Sequence, residues 1–286
     1  MRVALVLVPY HLGYEGVGMG AGPDALVEAG LAAGLESDGH DVELVRLARG
    51  AKTTNEVAAS FEVLCAVAER VRAAVARDAF PLVLAGNCMT SIGVVAGLRR
   101  DVGVVWLDAH ADFDTAEGTT SGFVDGMGLS ILTGTGWNAM RETVPGYRTV
   151  PERNVVLVGI RDVLAAEQER LDRSPVAVVP PDGMDAAEAA LDRLREHVAD
   201  LYFHLDLDVL DPSEGRANEY AATGGPRGDD VERLVGAVGE RFRIRGASVT
   251  AYDPKGDGER RIPPTAIRLA KSVVAAARVA GEVPAG

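Results

Sequence analysis

The sequence predicts an α/β domain built on a mostly parallel sheet with helices on both faces. Three observations lead there. Short apolar runs alternate with helical stretches along the chain. The runs are near-continuous in Val, Leu and Ile, as strands buried on both faces require. Finally, 286 residues with 47% hydrophobic but only 5% aromatic content suffice for one large core of Ala, Val and Leu. No repeat, linker or compositional break divides the chain, so residues 1–286 are expected to form a single α/β domain.

The elements follow in order. Val3–Val8 reads as a buried strand, followed by the glycine-rich stretch Gly13–Gly22. Pro23 opens a helix expected to run to about Glu36, since proline is tolerated in a first helical turn. Asp41–Val45 is a strand. Asn55–Arg77 is a long helix with Val57, Phe61, Leu64, Val67 and Val71 on one face. Strand Leu82–Ala85, helix Thr90–Leu98 and strand Val102–Leu107 come next. Residues 111–153 lack a clear period, and a long irregular stretch of this kind is usually functional; a short helix is expected within it. Regular alternation resumes with strand Asn154–Gly159, helix Ala165–Leu171, strand Val176–Val179, helix Ala186–Val198 and strand Leu201–Leu207. Helix Asp229–Arg241, strand Gly246–Ala251 and a helix from Pro264 complete the chain.

Two acidic motifs close strands. Asp108, His110 and Asp112 follow Val102–Leu107, and Asp206 and Asp208 end Leu201–Leu207. Side chains of extended residues alternate faces, so each set can point one way. Four carboxylates and an imidazole gathered at strand ends repel one another and are costly to desolvate unless cations hold them. Oxygen-rich ligands with an imidazole favour Mn²⁺, with Zn²⁺, Fe²⁺ or Co²⁺ as alternatives. In parallel sheets ligands bind at the carboxyl ends of strands, where Gly86–Thr90 also falls. His204 shares a face with Asp206, either as a hydrogen-bond donor behind the ligands or as a packed side chain. His11 lies in a loop on the same edge; His40 and His197 read as surface residues.

A net charge of −13 disfavours nucleic acid and anionic membranes as partners. No apolar run reaches the roughly 18 residues of a membrane span. Met1–Pro9 is too short for a signal peptide, and two cysteines, Cys65 and Cys88, do not make a disulfide framework, so a cytoplasmic protein is expected. The glycines at 13, 16, 18, 20 and 22 lack the lysine and spacing of a phosphate loop, and no Gly-x-Ser-x-Gly elbow occurs.

These residues resemble the ureohydrolase family of arginases, agmatinases, guanidinobutyrases and formiminoglutamases. The resemblance runs through Gly20–Pro23, Leu84–Cys88, Trp106–Asp112, Ser121–Gly126, His204–Pro212 and Gly224–Gly225. It implies a three-layer arginase-like α/β sandwich and a two-manganese site that activates water against an amidine-like carbon, typically releasing urea. It implies that Asp108 and Asp206 bridge both ions, that His110 and Asp208 complete one site, and that Asp112 and the residue at position 88 complete the other. Asp112 and Asp125 become candidate catalytic residues, and Ser121, Phe123 and Asp253 candidate substrate contacts. A small-molecule substrate and a homotrimer or homohexamer are implied with them.

The departures carry as much information. Cys88 stands where the family has a histidine ligand, so the expectation is two Mn²⁺ per chain, or one if that position is abandoned. The same change resembles the N-hydroxyarginine hydrolase branch. Asp125 replaces a histidine and offers a carboxylic acid as proton shuttle if its pKa is raised. Phe123 replaces an asparagine that holds an amino-acid head group, while Ser121 is retained. Ala251 replaces the glutamate that binds the guanidinium, and Asp253 could compensate, although strand alternation turns it elsewhere. The leading expectation is a metal-dependent hydrolase of a linear amidine or guanidino compound other than L-arginine. The alternatives are a hydrolase of a modified guanidine such as N-hydroxyarginine, and an inactive arginase-fold binding or assembly protein.

Overall fold

The computed structural model describes residues 1–48 and 55–281; the remainder of the 1–286 span lies outside the described residues. The chain begins with β1 (Arg2–Val8) and a small antiparallel hairpin of β2 (Tyr10–His11) and β3 (Tyr14–Glu15). Then come α1 (Gly22–Glu28), α2 (Leu31–Ser37), β4 (Asp41–Arg46), α3 (Glu56–Val75), β5 (Phe80–Ala85), α4 (Thr90–Leu98) and β6 (Gly103–Leu107). The long loop carries α5 (Gly128–Leu132) and α6 (Asn138–Arg141). The rest is β7 (Val155–Val158), α7 (Ala165–Leu171), β8 (Ala177–Val179), α8 (Met184–Arg195), β9 (Asp200–Asp206), α9 (Gly228–Arg241), β10 (Arg243–Thr250) and α10 (Ile262–Gly281).

Eight strands form one sheet in the order β4-β1-β5-β10-β9-β6-β7-β8, and every pairing in it is parallel. Helices cover both faces, as near-continuous apolar strands demand. The two faces are sorted by strand periodicity. Val3, Leu5 and Leu7 of β1, with Leu82, Leu84, Val105, Leu107, Phe203 and Leu205, pack in one cluster with residues of α9 and α10. Ala4, Val6 and Val8, with Val83, Val104, Trp106 and Tyr202, face the other way toward α3 and α4. Among the described residues no helix is long and apolar enough to cross a membrane.

One expected helix is two. Gly30, at φ 107°, ends α1 and starts α2, so the run from Pro23 to Glu36 is broken where a left-handed residue is needed. His40, expected at the surface, is 9% exposed. At α10, Pro263 and Pro264 fall in the first turn, where no intrahelical N–H is needed.

The topology assembles the candidate site. Strands β5, β10, β9 and β6 are adjacent at the centre, although they come from residues 80 to 250. Register pairs Trp106 with His204, His204 with Ser248, and Asp206 with Thr250. Residues of even number at the ends of β6 and β9 therefore converge on the α4 side of the sheet edge.

Gly86, just beyond β5, sets how closely this edge is packed. A β-carbon there would overlap the Tyr10 carbonyl oxygen and the backbone of Gly20. Gly86→Ala is expected to lower unfolding free energy by about 1–3 kcal/mol through overpacking. Urea denaturation checks it; an unchanged midpoint would show that the hairpin yields freely.

Candidate metal centre

Strand alternation ends before the ligand motifs do. β6 stops at Leu107, and Asp108–Asp112 form an irregular turn. Asp108 Oδ1 accepts the backbone N–H of His110 (2.8 Å), and its Oδ2 accepts the Trp106 indole N–H (3.2 Å). Asp112 adopts φ 48°, and its carbonyl accepts the amides of Leu129 and Ser130, which ties the turn to α5. β9 stops at Asp206, and Leu207–Val209 form a single 3₁₀ turn. Asp206 caps that turn by accepting the Asp208 amide at 2.7 Å. A turn, and not a continued strand, brings the Asp208 carboxylate beside Asp108.

Two sets of donor atoms result. In an outer group, Asp108, His110 and Asp208 each place one donor atom within 4.8 Å of the others. In an inner group, the same holds for Cys88, Asp108, His204 and Asp206. Asp108 belongs to both. Cys88, just before α4, lies with Sγ 2.7 Å from Asp206 Oδ2 and 3.3 Å from Thr250 Oγ1. Asp112 is buried beside these groups, and its Oδ2 has no hydrogen-bond partner among the described residues. His204 is fully buried, stacked on Trp106 with ring centroids 3.8 Å apart, and its Nε2 also lacks a partner. Lone buried polar atoms of this kind are costly unless something binds them. With carboxylates, imidazoles and a thiol at this spacing, the residues fit divalent metal.

Burial and crowding of like charges hold protons on the acids of the cluster. Burial, reinforced by Asp208, raises Asp108 from 3.8 to about 6. Burial with Asp108 and Asp125 nearby pushes Asp112 well up, and burial with Asp208 nearby does the same to Asp206. Burial also raises the Cys88 thiol, with Asp206 adding to it. Burial disfavours the His110 cation, but its hydrogen bond to Asp108 and the charge of Asp208 outweigh this and raise it to about 9. Burial alone drops His204 to about 3.

The cluster forms the floor of a cavity of about 250 Å³, lined among the described residues by eight carboxyl side chains and no lysine or arginine. Ser121, Phe123, Asp125 and Ala251 all line it. Asp125 is 4% exposed; its carboxylate accepts the Met89 amide (2.8 Å) and the Asn87 side-chain amide (2.5 Å). Burial nevertheless raises its pKa. Asp253 is not among the lining residues, and its Oδ1 accepts the Lys255 amide at 2.9 Å within its own loop. His11 also stays outside the lining, with its ring 6.2 Å from that of Phe123.

Sequence reasoning missed several neighbours. Asn218 is 1% exposed and donates to Asp208 Oδ2 (3.0 Å) and the Ala251 carbonyl (2.9 Å), clamping the outer group to the end of β10. It sits in irregular chain, where no periodicity marks it. Glu167, 8% exposed, accepts the amides of Phe113 and Leu164. Tyr220 and Leu164 stand at the mouth, 42% and 50% exposed. Trp106 was open to the alternation argument, because it shares a face with Asp108.

A family model of the arginase family matches residues 1–283. The chain belongs to the arginase family. It is 28% identical to the arginase of Bacillus caldovelox over 291 residues, covering 95% of this chain and 97% of that one. It is 31% identical to the N(omega)-hydroxy-L-arginine amidinohydrolase of Streptomyces lavendulae over 211 residues, 73% of each chain. The crystal structure of arginase from Bacillus cereus superposes with a TM-score of 0.87 at 26% identity, covering 96% of this chain and 98% of that one. The parallel eight-stranded sheet is thus the arginase-family architecture, and Cys88, Phe123, Asp125 and Ala251 line its cavity in this chain.

The raised pKa values fix a pH dependence for protein stripped of metal. Asp108 and His110 bind protons more tightly when folded than their ordinary 3.8 and 6.5 imply. That stabilisation is complete below those ordinary values and is lost as pH rises through about 6 and about 9. Chelated protein is expected to melt at falling temperature from pH 5 to pH 9, and added Mn²⁺ to raise Tm more at pH 8 than at pH 5. Thermal scans with and without chelator test this; a metal-induced shift independent of pH would contradict it.

Proposed function

We propose that this arginase-family chain is a metal-dependent hydrolase that splits a C–N bond of a linear guanidino or amidine compound with a less polar tail than L-arginine. The observation that carries the reading is the cavity itself. Its floor gathers the candidate metal ligands, and its lining, among the described residues, carries eight carboxyl side chains and no lysine or arginine. Its mouth has an apolar side: Phe123 and Tyr220 meet at a tilt with ring centroids 5.7 Å apart, and Leu164 lines the same cavity. Such a site attracts a cation and favours an apolar tail.

Asp108, His110 and Asp208 would hold one divalent ion, with manganese suited to this oxygen-rich group; Asp108, Asp112, Asp206 and Cys88 would hold a second. When bound, such ions lower the pKa of water so that hydrolysis runs near neutral pH. The protein supplies the rest. Asp125, buried and with a raised pKa, carries a proton toward the departing nitrogen. Asn218 fixes the Asp208 carboxylate. Phe123 and Tyr220 close over the substrate and exclude water, and Ser121 offers a hydroxyl at the rim. Asp253 takes no part. The small-molecule substrate, cytoplasmic setting and homotrimeric or homohexameric assembly belong to the same reading.

A modified guanidine such as N-hydroxyarginine is the second reading. Cys88 on the cavity floor and the similarity to the Streptomyces lavendulae amidinohydrolase favour it. The apolar mouth speaks against any substrate with an amino-acid head.

L-Arginine is therefore expected to be a poor substrate. Ala251 offers its guanidinium no charge and Phe123 offers its head group no hydrogen bond. Two to three kcal/mol of lost recognition corresponds to about a hundredfold in kcat/KM. A panel of guanidino, formimino and N-hydroxyguanidino compounds, assayed for urea, ammonia and hydroxyurea with Mn²⁺ present, measures the ratio. Arginine as best substrate would defeat the substrate assignment.

A further inference from the structure

His204 is the side chain that the proposed hydrolysis leaves without a task. It sits on β9 two residues before Asp206, on the same face of the strand, and is 0% exposed. Its Nδ1 lies 2.9 Å from both Ser91 Oγ and Ser248 Oγ. Tyr202 Oη binds the same two hydroxyls, so the serines are themselves held in place. Trp106 stacks on the ring and donates its indole N–H to Asp108. The imidazole is thus fixed on one edge and one face. The other nitrogen, Nε2, is buried with no hydrogen-bond partner among the described residues. A ring nitrogen of His204 lies within 4.8 Å of Cys88 Sγ and of carboxylate oxygens of Asp108 and Asp206.

A histidine packed only for its volume does not need two hydroxyls on one nitrogen, no partner on the other, and a ring nitrogen within 4.8 Å of a thiol and two carboxylates. Metal-bound imidazoles have this arrangement: one nitrogen donates N–H to a fixed acceptor, which sets the tautomer, and the other binds the ion. With Nδ1–H donated to a serine hydroxyl, Nε2 carries the free lone pair.

We infer that His204 Nε2 and Cys88 Sγ bind one divalent ion together, alongside Asp206 and the shared Asp108. The inner group is then a site of mixed sulfur, nitrogen and oxygen donors, chemically unlike the outer group of Asp108, His110 and Asp208. It suits a zinc-like ion, since thiolate and imidazole favour softer metals than Mn²⁺. The Cys88 thiol gives up its proton on binding, and that proton leaves to solvent. The two halves of the cluster would hold different metals: a zinc-like ion inside and a manganese-like ion outside. This rests on the reading that the cluster binds metal, and adds a ligand and a selectivity to it.

X-ray absorption at the zinc edge, on the full-length protein stripped and reloaded with one equivalent of Zn²⁺, reads the shell directly. The expected spectrum shows one sulfur at about 2.3 Å together with imidazole nitrogen at about 2.0 Å. Competition with a chromophoric chelator then measures affinity. His204→Gln is expected to weaken Zn²⁺ retention by more than about a hundredfold, beyond what loss of a supporting hydrogen bond costs. Cys88→Ser is expected to remove the sulfur scattering. Sulfur without imidazole, an oxygen-only shell, or a His204→Gln affinity within tenfold of wild type would overturn the inference while leaving the metal reading intact. Failure of the wild-type protein to bind either Zn²⁺ or Mn²⁺ would overturn both. Should His204→Gln not fold, the spectrum of His110→Gln decides: imidazole nitrogen retained beside sulfur supports the inference, and its loss overturns it.

Discussion

Mutual repulsion among buried carboxylates is the constraint on which the rest of this structure depends. Asp108, Asp112, Asp125, Asp206 and Asp208 are each at most 8% exposed and share one end of the sheet. Hydrogen bonds inside the cluster only partly relieve the repulsion: Asp206 takes the Asp208 amide, and Asp108 takes the His110 amide and the Trp106 indole. Burial first, and the neighbouring carboxylates second, raise the pKa values of Asp108, Asp112 and Asp206. A fold keeps such an arrangement where cations neutralise it. The central position of β5, β10, β9 and β6, the Gly86 close approach and the Asn218 clamp all bring the charges together.

The sheet was legible because parallel strands buried on both faces carry an uninterrupted apolar signal, and period-two alternation then assigns each side chain to a face. The same logic found Asp108 and Asp206, which extend β6 and β9. It reached Asp208 and Asp112 only by coincidence, since one lies in a 3₁₀ turn and the other at φ 48°. Turns are set by local hydrogen bonds that leave no period in the sequence. The split between α1 and α2 at Gly30 was hidden because an isolated glycine does not by itself end a helix. Asn218 and Glu167 were invisible for a further reason. They act on residues about 10 and about 50 positions away, and only the folded chain shows those partners. Asp253, read from its position as a candidate substrate contact that strand alternation turns elsewhere, accepts the Lys255 amide within its own loop.

The sheet is the arginase-family architecture, with a TM-score of 0.87 to the Bacillus cereus arginase. The cavity has a chemical character of its own. Cys88 offers a soft donor at the floor, Ala251 brings no charge, and Phe123, Leu164 and Tyr220 line the same space. A shared scaffold does not by itself set the substrate; the side chains that line its cavity do.

The central claim is that cations hold this charge cluster together. Crystals grown with Mn²⁺ and measured at the manganese absorption edge test it most directly. The account predicts an anomalous peak in contact with Asp108, His110 and Asp208. A map with no peak there, while Mn²⁺ appears elsewhere on the protein surface, would contradict it.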